Sequence, residues 1–138
     1  MDNQQETESM LKMIADYMEN GFLENIVDMF KHDGSLYLVI GGLLGDERSR
    51  VRIGAVALIE TLKEEDEEHV ASAIPGVAER LKDPNATIRG DAAYLLGIIG
   101  HRDALPFLKE ILNDEHELVK ESVIEAIEEI ENGGNNDP

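Results

Sequence analysis

Apolar residues recur along this chain every three or four positions, and the recurrence is itself repeated. Aligning Leu43-Leu44-Gly45-Asp46 with Arg80-Leu81-Lys82-Asp83 and Ile111-Leu112-Asn113-Asp114 brings the segments that follow into register without a gap. Five positions after each aspartate stands a β-branched residue followed by a cation: Val51-Arg52, Ile88-Arg89 and Val119-Lys120. Ala55, Ala92 and Val123 then match, followed by Leu58, Leu95 and Ala126, by Ile59, Leu96 and Ile127, and by Leu62, Ile99 and Ile130. That spacing places one wide apolar face on each of three helices.

The flanking segments follow the same logic. Met10, Leu11, Met13, Ile14, Tyr17 and Met18 predict a first helix capped by Thr7 or Ser9 and stopped at Asn20-Gly21, where glycine accepts the left-handed closing conformation. A second helix over 22–31 ends at Asp33-Gly34. Ser35 is expected to cap a short, continuously apolar helix, Leu36 to Leu44, buried on most sides. Its Gly41-Gly42 pair costs about 1 kcal/mol per glycine relative to alanine and so implies a close helix contact. The partner helix, 48–63, carries Gly54 where a neighbour must approach, and the acidic run 63–69 reads as a solvated connection. Pro75 implies either a helix starting near Ser72 or one that begins near Glu67 and bends, and the apolar spacing of Val70, Ala71 and Ile74 favours the bend. Asn85 is the expected N-cap of the central helix, Gly100 closes it, and the last helix spans 117–131.

Self-similarity at this period means stacked supersecondary units, because one helix pair cannot bury its own apolar face. The aspartate, the Val/Ile-Arg step and the small and leucine positions resemble the HEAT repeat, in particular the short PBS-lyase-type HEAT-like repeats also found in phycobilin lyases. The resemblance covers about Ser35 to Glu131 and is best in Asp83 to Gly100. It implies an all-α, right-handed α-solenoid (α-α superhelix) of about four antiparallel helix pairs. The implied domain spans 7–131: a first pair at 7–33, repeats at 35–63, 67–100 and 103–131, and flexible ends at 1–6 and 132–138. The first pair lacks the signature and is either an N-terminal cap or a degenerate repeat. The resemblance also implies a structural ladder in which Arg52, Arg89 and Lys120 bond to Asp46, Asp83 and Asp114, tying one unit to the next. In such a stack the second helices line the concave face, which makes Tyr94 a candidate partner contact.

Composition narrows the function. The 138 residues hold 30 acidic and 12 basic side chains, a formal charge of −18. Such a field repels nucleic acid and anionic membranes, whose phosphates are bound by displacing counterions with Lys and Arg. There is no cysteine, so disulfides and thiolate metal sites are excluded; with no Trp, three Phe and three Tyr the core must be aliphatic. The start has no basic-then-apolar leader pattern and the apolar runs are far too short to span a bilayer, so a soluble cytoplasmic protein is expected.

No catalytic constellation stands out. HEAT-like diiron hydroxylases place a His-Glu pair immediately after the Val/Leu-Arg step, whereas these slots hold Ile53-Gly54, Gly90-Asp91 and Glu121-Ser122. His32, His69, His101 and His116 sit in or beside predicted turns and read as surface residues rather than ligands. No cofactor and no metal are expected. Glu121, Glu125 and Glu128 share one face of the last helix, with Glu129 widening it, and form a candidate surface for a basic segment of a partner. The expected function is a non-enzymatic protein-binding scaffold or accessory subunit using its concave face. The alternative that the resemblance supplies is a phycobilin-lyase-like or chaperone-like subunit acting within a larger complex.

Overall fold

The computed structural model describes residues 3–134. Helix α1 spans Asn3–Glu19 and α2 spans Leu23–His32. A 3-10 helix, Gly34–Val39, leads into α3 (Ile40–Leu44), which pairs with α4 (Ser49–Glu65). Next come α5 (Glu67–Val70), a 3-10 turn at Ala71–Ala73 and α6 (Ile74–Glu79), pairing with α7 (Ala86–Ile99). A 3-10 turn at Arg102–Ala104 opens α8 (Leu105–Glu110), which pairs with α9 (Glu117–Gly134). No strand is present among the described residues.

The pairs form two layers, and α4, α7 and α9 pack side by side in one of them. In the other, α3 packs on α6, and α6 meets the turn that opens α8. The repeated apolar positions fill the space between: Leu58, Ile59, Leu62, Leu95, Leu96, Val123 and Ile130 are all completely buried. This is an all-α solenoid with an aliphatic core, in which Phe30 and Tyr37 are the fully buried aromatics. No polar or charged residue is buried among the described residues, so layer contact is apolar burial rather than ionic.

Turn chemistry sets the boundaries. Gly21 and Gly100 take φ values of +87° and +75°, closing α1 and α7 in the region that side chains resist. The Asn85 carboxamide oxygen accepts from the Thr87 N–H at 2.8 Å, capping α7. Ahead of α3 the cap is Asp33, not Ser35: its carboxylate accepts from the Ser35 N–H and hydroxyl at 3.1 and 2.6 Å. The first part of this apolar segment is 3-10 rather than α. Three residues per turn bring Ser35 and Leu38 onto one edge, which leaves Leu38 exposed within an otherwise buried run.

The acidic run differs from expectation. Helix α4 continues through Glu65 and only Asp66 separates it from α5, so the connection is one residue rather than a solvated loop. Asp66 holds that corner because its carboxylate accepts from the Tyr37 hydroxyl and pairs with His69 Nδ1, both at 2.8 Å. The segment that follows bends at Ala71–Ala73, and Pro75 falls in the first turn of α6 where its missing N–H costs nothing. Gly41 meets Gly76 across α3 and α6 so closely that a Cβ on Gly41 would overlap the Gly76 carbonyl.

At the ends, α1 already includes Asn3–Glu6, so neither Thr7 nor Ser9 begins it; Gln4 and Glu8 bond one turn apart at 3.4 Å. Likewise α9 continues past Glu131 to Gly134, while the expectations for Met1, Asp2 and residues 135–138 lie outside the described residues. The first helix pair sits differently from the repeats, because both of its members rest on α4. On α1, Asp16 pairs with Arg48 at 3.0 Å and Met18 covers Gly54, near the start of α4. On α2, Lys31 pairs with Glu65 at 2.9 Å, at its end.

Candidate functional site

Thr87, Asp91, Tyr94 and Ile98 follow one another at helical spacing along one stripe of α7. Their counterparts in the next repeat, Leu118, Ser122, Glu125 and Glu129, do the same along α9. Small residues let the helices close up at the floor: a Cβ on Gly97 would lie 3.1 Å from the Ala126 Cα, and one on Gly90 would lie 3.8 Å from the Ser122 hydroxyl. Above that floor the two stripes enclose a groove.

Tyr94 divides the groove. One half, about 260 Å³, is lined by Thr87, Gly90, Asp91, His116 and Leu118 among others. The other, about 240 Å³, has Gly97, Ile98 and Ala126 at its floor and Glu125 and Glu129 at its rim. Tyr94 and Ser122 line both halves. Tyr94 is 45 % exposed, and its hydroxyl donates to Glu60 Oε2 on α4 at 2.7 Å, which anchors the side chain across the α4–α7 seam. The bond to Glu60 raises the phenol above its ordinary range, so Tyr94 is neutral and a donor.

The carboxylates of the groove are open to a ligand from outside the chain. Asp91 is half-buried, and neither it nor Glu125 nor Glu129 has a hydrogen bond or ion pair among the described residues. Burial pushes the Asp91 carboxyl up, against a smaller opposing pull from Arg52. Arg52 is held elsewhere: it donates to the carbonyls of Asp46 and Glu47 at 2.7 and 2.9 Å and to the Ser49 hydroxyl at 3.3 Å.

The ladder predicted from Asp46, Arg52, Asp83, Arg89, Asp114 and Lys120 has one complete rung. Arg89 donates to both carboxylate oxygens of Asp114 at 2.9 and 3.1 Å, and to the carbonyls of Asp83 and Pro84 at 2.9 and 3.2 Å, so it links its own turn to the next. Arg52 binds the carbonyls of its own turn and does not reach Asp83. The Asp83 carboxylate is occupied by Arg80 at 3.2 Å and by the Asn85 N–H at 2.9 Å. Asp46 is paired with Arg48, not Arg52, and Lys120, lacking a guanidinium fork, pairs with Glu117 at 3.6 Å.

The acidic stripe also divides. Glu125 and Glu129 join Tyr94 at the groove, whereas Glu121 and Glu128 do not line it. They occupy on α9 the positions that Gly90 and Gly97 hold on α7, so bulky charges stand where the preceding helix is glycine. The histidines form no cluster: His32 bonds the Asp28 carbonyl, His69 pairs with Asp66, and His101 accepts from the Asp103 N–H. Among the described residues no group of three His, Asp or Glu is placed to hold a metal ion. Sequence reasoning met Asp91 and Ser122 only as slots that lack metal ligands, and passed over Leu118. The available signal was the alignment itself, which sets Asp91 against Gly54 and leaves an acid where the earlier repeat is covered.

A family model for HEAT repeats matches residues 39–128, spanning α3 to α9 apart from the ends. The chain belongs to the HEAT-repeat family. HEAT repeats generally mediate protein–protein interaction, and the side-by-side α4, α7 and α9 form the face that their stacking provides. A comparison with curated proteins found no match. No helix among the described residues is long and apolar enough to cross a membrane.

Proposed function

We propose that this HEAT-repeat protein is a non-enzymatic docking subunit that holds a basic segment of a partner protein along the α7–α9 groove. The observation that supports this most is the pairing of an exposed aromatic, Tyr94, with three carboxylates that have no partner among the described residues, Asp91, Glu125 and Glu129. The floor of Gly97, Ile98 and Ala126 offers apolar burial, and the rim offers charge; recognition surfaces combine the two in this way. A chain charge of −18 speeds encounter with a basic partner and works against phosphate-rich ones, so nucleic acid and membrane surfaces are not the ligands we propose. The proposed compartment is the cytoplasm.

The test is site-specific photo-crosslinking in the native lysate. A crosslinking amino acid replaces Leu118 in one variant and Lys12, which lies on α1 far along the chain, in another. A discrete adduct from position 118 alone, mapping to a Lys/Arg-rich stretch and weakened by high salt, is the expected result. Equal labelling from both positions, or an adduct on an acidic partner, would overturn the reading.

A further inference from the structure

The two halves of the groove present their carboxylates at different levels. Asp91 stands at the position that Ser122 occupies one repeat later, and from Ser122 to Glu129 α9 advances seven residues, about 10 Å at 1.5 Å per residue. The Asp91 and Glu129 carboxylates, that far apart, cannot share one metal ion, whose oxygen ligands crowd within about 2.6 Å of it. They can be matched by two separate cations carried on one chain. An extended backbone advances about 3.3 Å per residue, so three residues cover the interval.

Resting on the docking reading above, we infer that the groove recognises an extended partner segment with basic residues at i and i+3, one cation at Asp91 and the other at Glu129. The residues between them cross Tyr94, whose exposed side chain and anchored hydroxyl form a rigid sill. The first cation enters a pocket walled by Thr87, Gly90 and Leu118, where a half-buried carboxylate has no other partner among the described residues. Of the cationic side chains nearby, Arg52 is bound to its own turn and Lys120 pairs with Glu117, while His116 lines the same pocket. The second cation lies over Gly97 and Ala126, where the stem of an arginine or lysine covers apolar floor while its head meets the rim carboxylates.

The test uses the full chain and three fluorescein-labelled nine-residue peptides. One has two arginines three positions apart with leucine between, the second has the arginines adjacent, and the third has both replaced by glutamine. Anisotropy titrations at low salt are expected to rank the spaced peptide at least about fivefold above the adjacent one, with no measurable binding of the glutamine peptide. Asp91→Asn is expected to weaken the spaced peptide about tenfold and to have under twofold effect once the arginine it faces is glutamine, the behaviour of a coupled pair in a double-mutant cycle. Glu129→Gln is expected to couple to the other arginine, and a Glu121→Gln/Glu128→Gln control to leave affinity unchanged. Amide shifts by NMR are expected on α7 and α9.

Equal affinity for spaced and adjacent arginines, or an equal loss in the Glu121/Glu128 control, overturns the two-cation rule. If the shifts still fall on α7 and α9, the docking groove survives that failure; shifts confined to other helices overturn both. Should Asp91→Asn unfold, as circular dichroism would show, the Glu129→Gln cycle and the peptide substitutions decide the matter, because Glu129 is exposed.

Discussion

Gly54 on α4 and Asp91 on α7 hold the same position in successive repeats, and their surroundings differ. Gly54 is covered by Met18 of α1, so closely that a Cβ would collide with the methionine side chain, whereas Asp91 opens into the α7–α9 groove. The N-terminal end of the stack is therefore sealed by side chains inserted over glycines, with Leu11 over Gly42 doing the same for α3. At the C-terminal end the frame is kept, but no described residue covers Asp91 as Met18 covers Gly54. One repeat position is thus covered by the N-terminal helix pair while its successor faces an open groove, on the same backbone frame.

The largest effect should come from filling a joint that has no slack. Gly41→Ala drives a Cβ into the Gly76 carbonyl, a backbone atom that moves only if α3 and α6 part. The expected cost is about 3 kcal/mol, read by urea unfolding. Gly54→Ala meets the side chain of Met18 from its Cγ outward, not backbone, and should cost about 1 kcal/mol, since alanine recovers helix propensity while the methionine shifts. If the two variants are equally stable, the sealed end is not held by glycine contacts and the contrast with the groove loses its basis.

Next in size is the one complete rung beneath the groove. Arg89 and Asp114 are 13 % and 9 % exposed, so Arg89→Ala strands a nearly buried carboxylate and two turn carbonyls, at an expected cost of about 2–3 kcal/mol. Arg52→Ala loses bonds to carbonyls that water can replace and should cost about 1 kcal/mol. The hydrogen bonds from Arg89 hold the Asp114 carboxyl below its ordinary 3.8. A depressed folded pKa gives stability that is present above the unfolded value and is lost as pH falls through the folded one. Wild-type stability should therefore fall at acid pH with a component that Arg89→Ala removes; identical acid slopes in the two proteins would sink the assignment.

How far the sequence could be read follows from what each feature depends on. Helix faces, the Asn85 cap, the Gly100 stop and the repeat register are set by local chemistry and spacing, and they were legible. Asp33 replacing Ser35 as cap was not, because both side chains can accept and the choice falls to backbone geometry. The ladder is partial for a related reason: spacing shows that Arg52 and Asp83 recur, while Arg48 and Arg80 take the Asp46 and Asp83 carboxylates from within the same turns. At the candidate site, Tyr94 and Glu125 could be placed by register. Asp91 could not, because its significance depends on coverage, and coverage is a tertiary property.

Smaller still is the effect expected at the floor of the open half. Gly90 is helical and a Cβ there would meet nothing nearer than the Ser122 hydroxyl at 3.8 Å, so Gly90→Ala should stabilise by about 0.5–1 kcal/mol through the unfolded chain. Thermal unfolding checks the sign. A destabilised Gly90→Ala would mean that the groove floor is as tight as the sealed end.

The smallest effect belongs to the sealed half, at the corner where α4 meets α5. Asp66 accepts from the buried Tyr37 and pairs with His69, and this bond raises the His69 pKa above its ordinary 6.5. A raised folded pKa gives stability that is complete below the unfolded value near 6.5 and fades as pH climbs through the folded one. His69 is 60 % exposed, so solvent screening keeps the contribution small. Unfolding midpoints should therefore drop slightly from pH 6 to pH 8 in the wild-type chain, and His69→Gln should flatten that drop without altering the groove. A flat wild-type profile would show that Tyr37 alone holds the corner. A His69→Gln variant that changed peptide affinity would show that the corner and the groove are coupled, and that the sealed and open ends do not act independently.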